Sequence, residues 1–155
     1  MIKRSSSLRR FAVTAALVAA ATTSSAATLE TLDLARYKGK VVLVDFWASW
    51  CAPCKESFPW MQQILSRYSD RGLVVVAINV DRDRHLAEQF LSSQNPAFPI
   101  VFDPQAKLAE RFKVSGMPAS FYVDRNGAVR FTHIGFRASE RDDAERELAA
   151  LLAEQ

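Results

Sequence analysis

Cysteine and histidine are scarce in this 155-residue chain, which holds two of each. A structural zinc site takes four ligands at close spacing, and His85 and His133 form no such cluster with the cysteines, so a metal centre finds too few ligands. Tracts rich in methionine or histidine, which would favour a copper-handling protein, are missing as well. Past residue 30 there are no internal repeats, low-complexity stretches or interdomain linkers. The N-terminal apolar run, Phe11 to Ala21, is interrupted by Thr14 and falls well short of the roughly 20 residues of a membrane span.

What the chain does have is a placement. Its two cysteines stand in Trp50-Cys51-Ala52-Pro53-Cys54-Lys55, where the apolar run Val41 to Trp47 gives way to a helical pattern. The run reads as a buried strand and Pro53 as a helix start. Cys51 is then expected at a helix N-terminus, where unpaired N–H groups and the helix dipole favour a thiolate. Cys54 lies about one turn on, close enough to close a disulfide. Three readings compete: a metal site, a structural disulfide and a dithiol/disulfide redox pair. A bridge closing so short a loop removes little unfolded-state entropy and would be a weak staple. The redox reading is favoured.

Residues 1–27 read as a signal peptide. Lys3, Arg4, Arg9 and Arg10 form a basic leader, the small-residue apolar run follows, and Ser24 to Ala27 supply a cleavage site. No cysteine near the end of the leader permits lipid attachment, and Arg9-Arg10 leaves both general and twin-arginine export open. The whole chain carries 20 basic and 17 acidic residues. All four leader charges are basic, so residues 28–155 hold 16 against 17, a net of −1. The positive charge belongs to the leader and argues for no nucleic-acid partner. Export to the periplasm is expected, with anchoring to the inner membrane if the leader stays uncleaved. There the pair would be found oxidised unless something reduces it.

Residues 28–155 read as one domain. Strands are expected at about 41–47, 73–80, 100–102, 119–123 and 128–134. Helices are expected at about 52–69 (with Pro59 inside), 83–93, 105–112 and 139–153. Leu86, Phe90 and Leu91 are expected to face inward, and Ser139 to start the last helix. Asp124-Arg125-Asn126-Gly127 is a hairpin signal. Asp45 is the informative carboxylate: a charge in so apolar a strand is expensive to bury unless it stays protonated or serves a function.

Val44 to Lys55, Val114-Ser115-Gly116-Met117-Pro118 and the Asp124–Gly127 hairpin together resemble the TlpA-like/ResA-like branch of exported thioredoxin-fold thiol–disulfide oxidoreductases, over roughly residues 35–152. The resemblance implies an α/β thioredoxin fold, a central mixed sheet flanked by helices, with an inserted element at about 83–102. It implies Cys51 as exposed nucleophile, Cys54 as resolving thiol, and Pro118 as a cis-proline that presents the Met117 backbone to substrate. It implies Trp50 as the aromatic beside the site and Asp45 as proton acceptor beneath Cys54. Many members carry asparagine at this last position, and the lysine that thioredoxins pair with the aspartate is missing, since residues 73–80 hold no basic side chain. His85, His133 and the charges from Arg141 to Glu147 read as surface features. Expected partners are protein disulfides and a membrane thiol-transfer electron donor, with no cofactor and a monomeric protein. Alternatives on the same fold are a copper-delivery or chaperone module, a disulfide-forming oxidant, and a peroxidase; the last needs its cysteine in a different local motif.

Overall fold

A computed structural model describes residues 32–154; the expected leader and its cleavage site lie outside them. A short 3-10 turn, Leu34–Tyr37, precedes the first strand. The elements then run β1 Val41–Trp47, α1 Ala52–Tyr68, β2 Leu73–Asn79, α2 Arg84–Gln94, β3 Ile100–Phe102, α3 Lys107–Arg111, β4 Ala119–Val123, β5 Val129–Ile134 and α4 Arg141–Ala153.

The sheet order is β3-β2-β1-β4-β5. β1 pairs parallel with β2, and β2 with β3; β4 is antiparallel to both β1 and β5. β1 therefore lies at the centre, buried at every position, as an apolar strand covered on both faces must be. Alternation along it sorts the core into two halves. Val41, Leu43 and Trp47 point to one face, under Phe58, Met61 and Ile64 of α1, Phe90 of α2 and Leu148, Leu151 and Leu152 of α4. Val42, Val44 and Phe46 point to the other, against Leu108 and the neighbouring Phe112. This is the thioredoxin-like α/β architecture, a mixed sheet flanked by helices. β3, reached through α2, is the edge strand beside β2.

Local chemistry explains the punctuation. Asp83 caps α2, its side chain accepting from the His85 N–H at 3.0 Å. In the β4–β5 hairpin Asp124 accepts from the N–H groups of Asn126 and Ala128, and Gly127 takes φ of 88°, a left-handed conformation that costs glycine little.

Four expectations need correction. Leu86 is exposed rather than inward; Ala87 and Phe90, with Leu91, form the buried stripe of α2, one position round from the anticipated one. β2 ends at Asn79, where its pairing with β1 ends at Trp47, and the Val80 N–H makes the last bond, to the carbonyl of Trp47. α3 is trimmed to Lys107–Arg111, entered through Ala106 at φ of 56°. A 3-10 turn, Ala138–Glu140, holds Ser139, so α4 begins at Arg141 without a side-chain cap.

Candidate active site

The centre of the site is the join between β1 and α1. Cys51 is the N-cap of α1, in extended conformation, and its Sγ accepts from the Cys54 N–H at 3.3 Å. The two cysteines are joined in a disulfide, with Cα atoms 5.3 Å apart. Pro53 sits in the first turn, where a helix has N–H groups without partners and the missing donor costs nothing. One helical turn thus brings the sulfurs together and aims the positive end of α1 at them. The Ser57 hydroxyl donates to the Cys54 carbonyl at 3.1 Å, tying down the same turn.

Exposure differs from the expectation in one respect. Cys51 is only 4% exposed and Cys54 not at all, because the disulfide draws both sulfurs against the core under α1. Cys51 remains the outer member of the pair. Trp50 beside it is 68% exposed, which excludes a core-packing role for that ring.

Asp45 lies on the face of the sheet that α1 covers. Its carboxylate is fully buried; Ser120 Oγ donates to Oδ1 at 2.6 Å, and Oδ2 has no partner among the described residues. Burial disfavours the charged form and pushes this carboxyl up to about 7, against a smaller opposing pull from the Ser120 hydroxyl. A carboxyl so placed exchanges its proton near neutral pH.

The Met117–Pro118 peptide is cis. Met117 packs against the cluster that contains both cysteines, and the Pro118 carbonyl accepts from the Gly135 N–H at 2.8 Å. The fold therefore gathers Cys51, Cys54 and Met117 in one cluster on the sheet face that also carries Asp45, with Pro118 and Trp50 each adjacent in sequence to a cluster member. Among the described residues no group of three or more His, Cys, Asp or Glu side chains could hold a metal ion.

Sequence reasoning missed several residues. Asp81, buried just past β2, accepts from the Ser49 N–H at 2.8 Å, from Ser49 Oγ at 2.9 Å and from Asn79 Nδ2 at 2.7 Å. It thus clamps the loop that leads into Trp50 and Cys51. The available signal was a carboxylate immediately following a buried strand parallel to β1. Asp81→Ala strands these donors, each loss costing about 1–3 kcal/mol. We expect stability to fall by roughly 2–4 kcal/mol, read from urea unfolding; a change below about 0.5 kcal/mol, the size typical of a neutral surface substitution, would show that the clamp carries no load. Ser120 was missed because its register opposite Asp45 exists only in the sheet. His133 is no plain surface residue: its Nε2 lies 2.6 Å from Glu147 Oε2, and its ring centroid is 5.1 Å from that of Tyr122. His85 is exposed, as expected. Within the Arg141–Glu147 run, Glu145 accepts from Tyr68 at 2.7 Å and pairs with Arg67, and Arg141 lies over the Phe136 ring.

This arrangement, a CxxC disulfide at a helix N-terminus on a thioredoxin-like sheet, defines the class. The Redoxin family profile matches residues 12–151, and the chain belongs to that family. A thiol-disulfide oxidoreductase ResA of Geobacillus kaustophilus is 33% identical over 118 residues, covering 76% of this chain and 67% of the relative. The Bacillus subtilis protein of the same name is 33% identical over 98 residues, covering 63% and 55%. Another such relative, from Oceanobacillus iheyensis, is matched over 52% of its length, so the chain spans between about half and two thirds of these curated relatives. Among solved structures, a Chlorobium tepidum protein provisionally described as thiol:disulfide interchange protein DsbE superposes with a TM-score of 0.77 at 42% identity, covering 79% of this chain and 86% of that one. StoA from Bacillus subtilis superposes at 0.60 with 27% identity, covering 69% and 82%.

Proposed function

We propose that this protein is an exported thiol–disulfide oxidoreductase that works as a reductase of protein disulfides. The carrying observation is Cys51 as the N-cap of α1, bonded to Cys54, with Asp45 buried on the same side of the sheet. In the reduced protein the Cys51 thiolate attacks a partner disulfide, forming one S–S bond and expelling one partner thiolate, which takes a proton from solvent. Cys54 then gives its proton to Asp45 and attacks Cys51 Sγ, closing the internal disulfide and releasing the second partner thiolate. Two electrons pass to the partner. Pro118 and Met117 would present backbone to the incoming chain, and the exposed Trp50 would rest against it.

Direction follows from Ala52-Pro53, which places no charge and no donor side chain between the cysteines. The Cys51 thiolate then depends chiefly on the helix terminus, worth roughly 0.3–1 kcal/mol in exposed settings. A dithiol so weakly stabilised gives up its electrons readily. Leader residues 1–27 support export, and the oxidising periplasm then requires a membrane thiol-transfer protein as electron donor. Cytochrome c maturation or the reduction of metal-site cysteines would fit such a role.

Equilibration of the full chain with glutathione buffers, read by tryptophan fluorescence, measures the direction. The expected potential lies below about −180 mV, on the thioredoxin side of disulfide isomerases. A value near about −120 mV, typical of strong oxidants, would make the protein a disulfide-forming one instead.

A further inference from the structure

If Asp45 takes the Cys54 proton, it must also release one in every cycle, and the inference below rests on that assignment. Its carboxylate is sealed from solvent, and the hydrogen bond it makes is to Ser120. In the sheet Asp45 of β1 pairs with Ser120 of β4, which pairs with His133 of β5. Directly paired residues point to the same face, so the three side chains stand in a row beneath α1 and α4.

A cavity of about 20 Å³ lies at the outer end of that row, lined by Trp60, Ser120, Tyr122, His133 and Arg141 among others. A polar cavity of about 10–15 Å³ suffices for one water. Trp60 Nε1 and Arg141 Nε are buried N–H groups without a partner among the described residues, and both can only donate. A water oxygen that accepts from them keeps both of its own protons to give. Beyond it, His133 Nε2 meets Glu147 Oε2 at 2.6 Å, and both side chains are about one-third exposed, 34% and 32%.

We propose that Ser120 is a positioning residue that passes the Asp45 proton to a single water held in this cavity, from which the His133–Glu147 pair delivers it to solvent. With Asp45 ionised, the Ser120 hydroxyl donates to it, as seen here. Once Asp45 has taken the Cys54 proton, the hydroxyl rotates to accept from the carboxyl and to donate outward. The carboxyl proton moves to Ser120 Oγ as the hydroxyl proton moves to the water, and the water hands one on to the pair. No bond between heavy atoms changes, and Asp45 is left ionised for the next cycle. Burial that brings the Asp45 carboxyl close to neutrality suits it to both halves of the exchange.

The test is stopped-flow single turnover of the reduced full chain with a fluorescent peptide disulfide at about pH 6, where the Asp45 carboxyl, titrating near 7, starts protonated and must release its proton before it can take that of Cys54; the measurement separates adduct formation from its resolution. Ser120→Ala is expected to slow resolution about tenfold more than attack, less than the roughly hundredfold of a group that takes the proton from the reacting atom itself. Ser120→Thr, which keeps the hydroxyl, should return resolution to within about twofold of the parent. Slowing both steps alike, slowing neither, or finding Ser120→Thr as slow as Ser120→Ala would overturn the proposal while Asp45→Asn still slows resolution. If Asp45→Asn leaves resolution unchanged, the assignment of Asp45 itself fails and the route falls with it. Glu147→Gln, at a partly exposed side chain, tests the outer end independently should Ser120→Ala fold poorly. It is expected to slow resolution several-fold relative to attack, and an unchanged rate overturns the route.

Discussion

Cys54→Ser is expected to lower turnover of a protein disulfide by at least about a thousandfold, the advantage an intramolecular thiol holds over one supplied from solution. Cys51 can still attack, but the sulfur that would expel the partner is gone. The partner should then remain attached as a mixed disulfide, visible on a gel without reductant and released when reductant is added. Asymmetry is the essential part. Cys51 caps α1 and is the outer sulfur, whereas Cys54 is fully buried. Cys51→Ser should therefore give neither turnover nor adducts. Adducts with Cys51→Ser and none with Cys54→Ser would mean that the two sulfurs exchange roles.

Asp45→Asn is expected to act on both rate and stability. Removing the proton acceptor should slow the resolving step about a hundredfold, within the range of general-base contributions, and the initial attack far less. The stability effect depends on pH. In the unfolded chain this carboxyl titrates near 3.8, and in the fold near 7, because burial disfavours its charge. Between those values the folded state holds a proton that the unfolded state has lost, so stability falls as pH rises from about 4 to about 7. At about 1.4 kcal/mol per pH unit the full loss is on the order of 4 kcal/mol. Asparagine carries no such penalty. Urea unfolding of the oxidised protein should show Asp45→Asn more stable by about 2–4 kcal/mol at about pH 8, and by little at about pH 4. A difference independent of pH would show that Asp45 keeps an ordinary carboxyl in the fold.

Much of this molecule was legible along the chain because the signals are local. Val41 to Trp47 is apolar at six of seven positions, and it became the central strand over those same residues. The Pro53 turn put Cys51 at a helix start, and Asp124 with Gly127 closed a hairpin. Such features depend on periodicity, capping and turn chemistry within a few residues of one another. Leu86 shows the limit, since the buried stripe of α2 passes through Ala87, one position round the helix. Helical spacing constrains a face only to within about one residue, and packing against Trp47 and Phe58 selects Phe90.

The surroundings of the disulfide belong to tertiary structure. Nothing within the chain joins Asp45 to Ser120, 75 positions apart, or Ser49 to Asp81, 32 apart. Register across β1, β4 and β5 makes the first meeting, and the parallel pairing of β1 with β2 makes the second. The sequence by itself determined the redox pair, the strand beneath it and the improbability of a buried aspartate there. The tertiary structure decided what that aspartate touches, because a carboxylate sealed from water takes its proton affinity from whichever neighbours the sheet sets beside it.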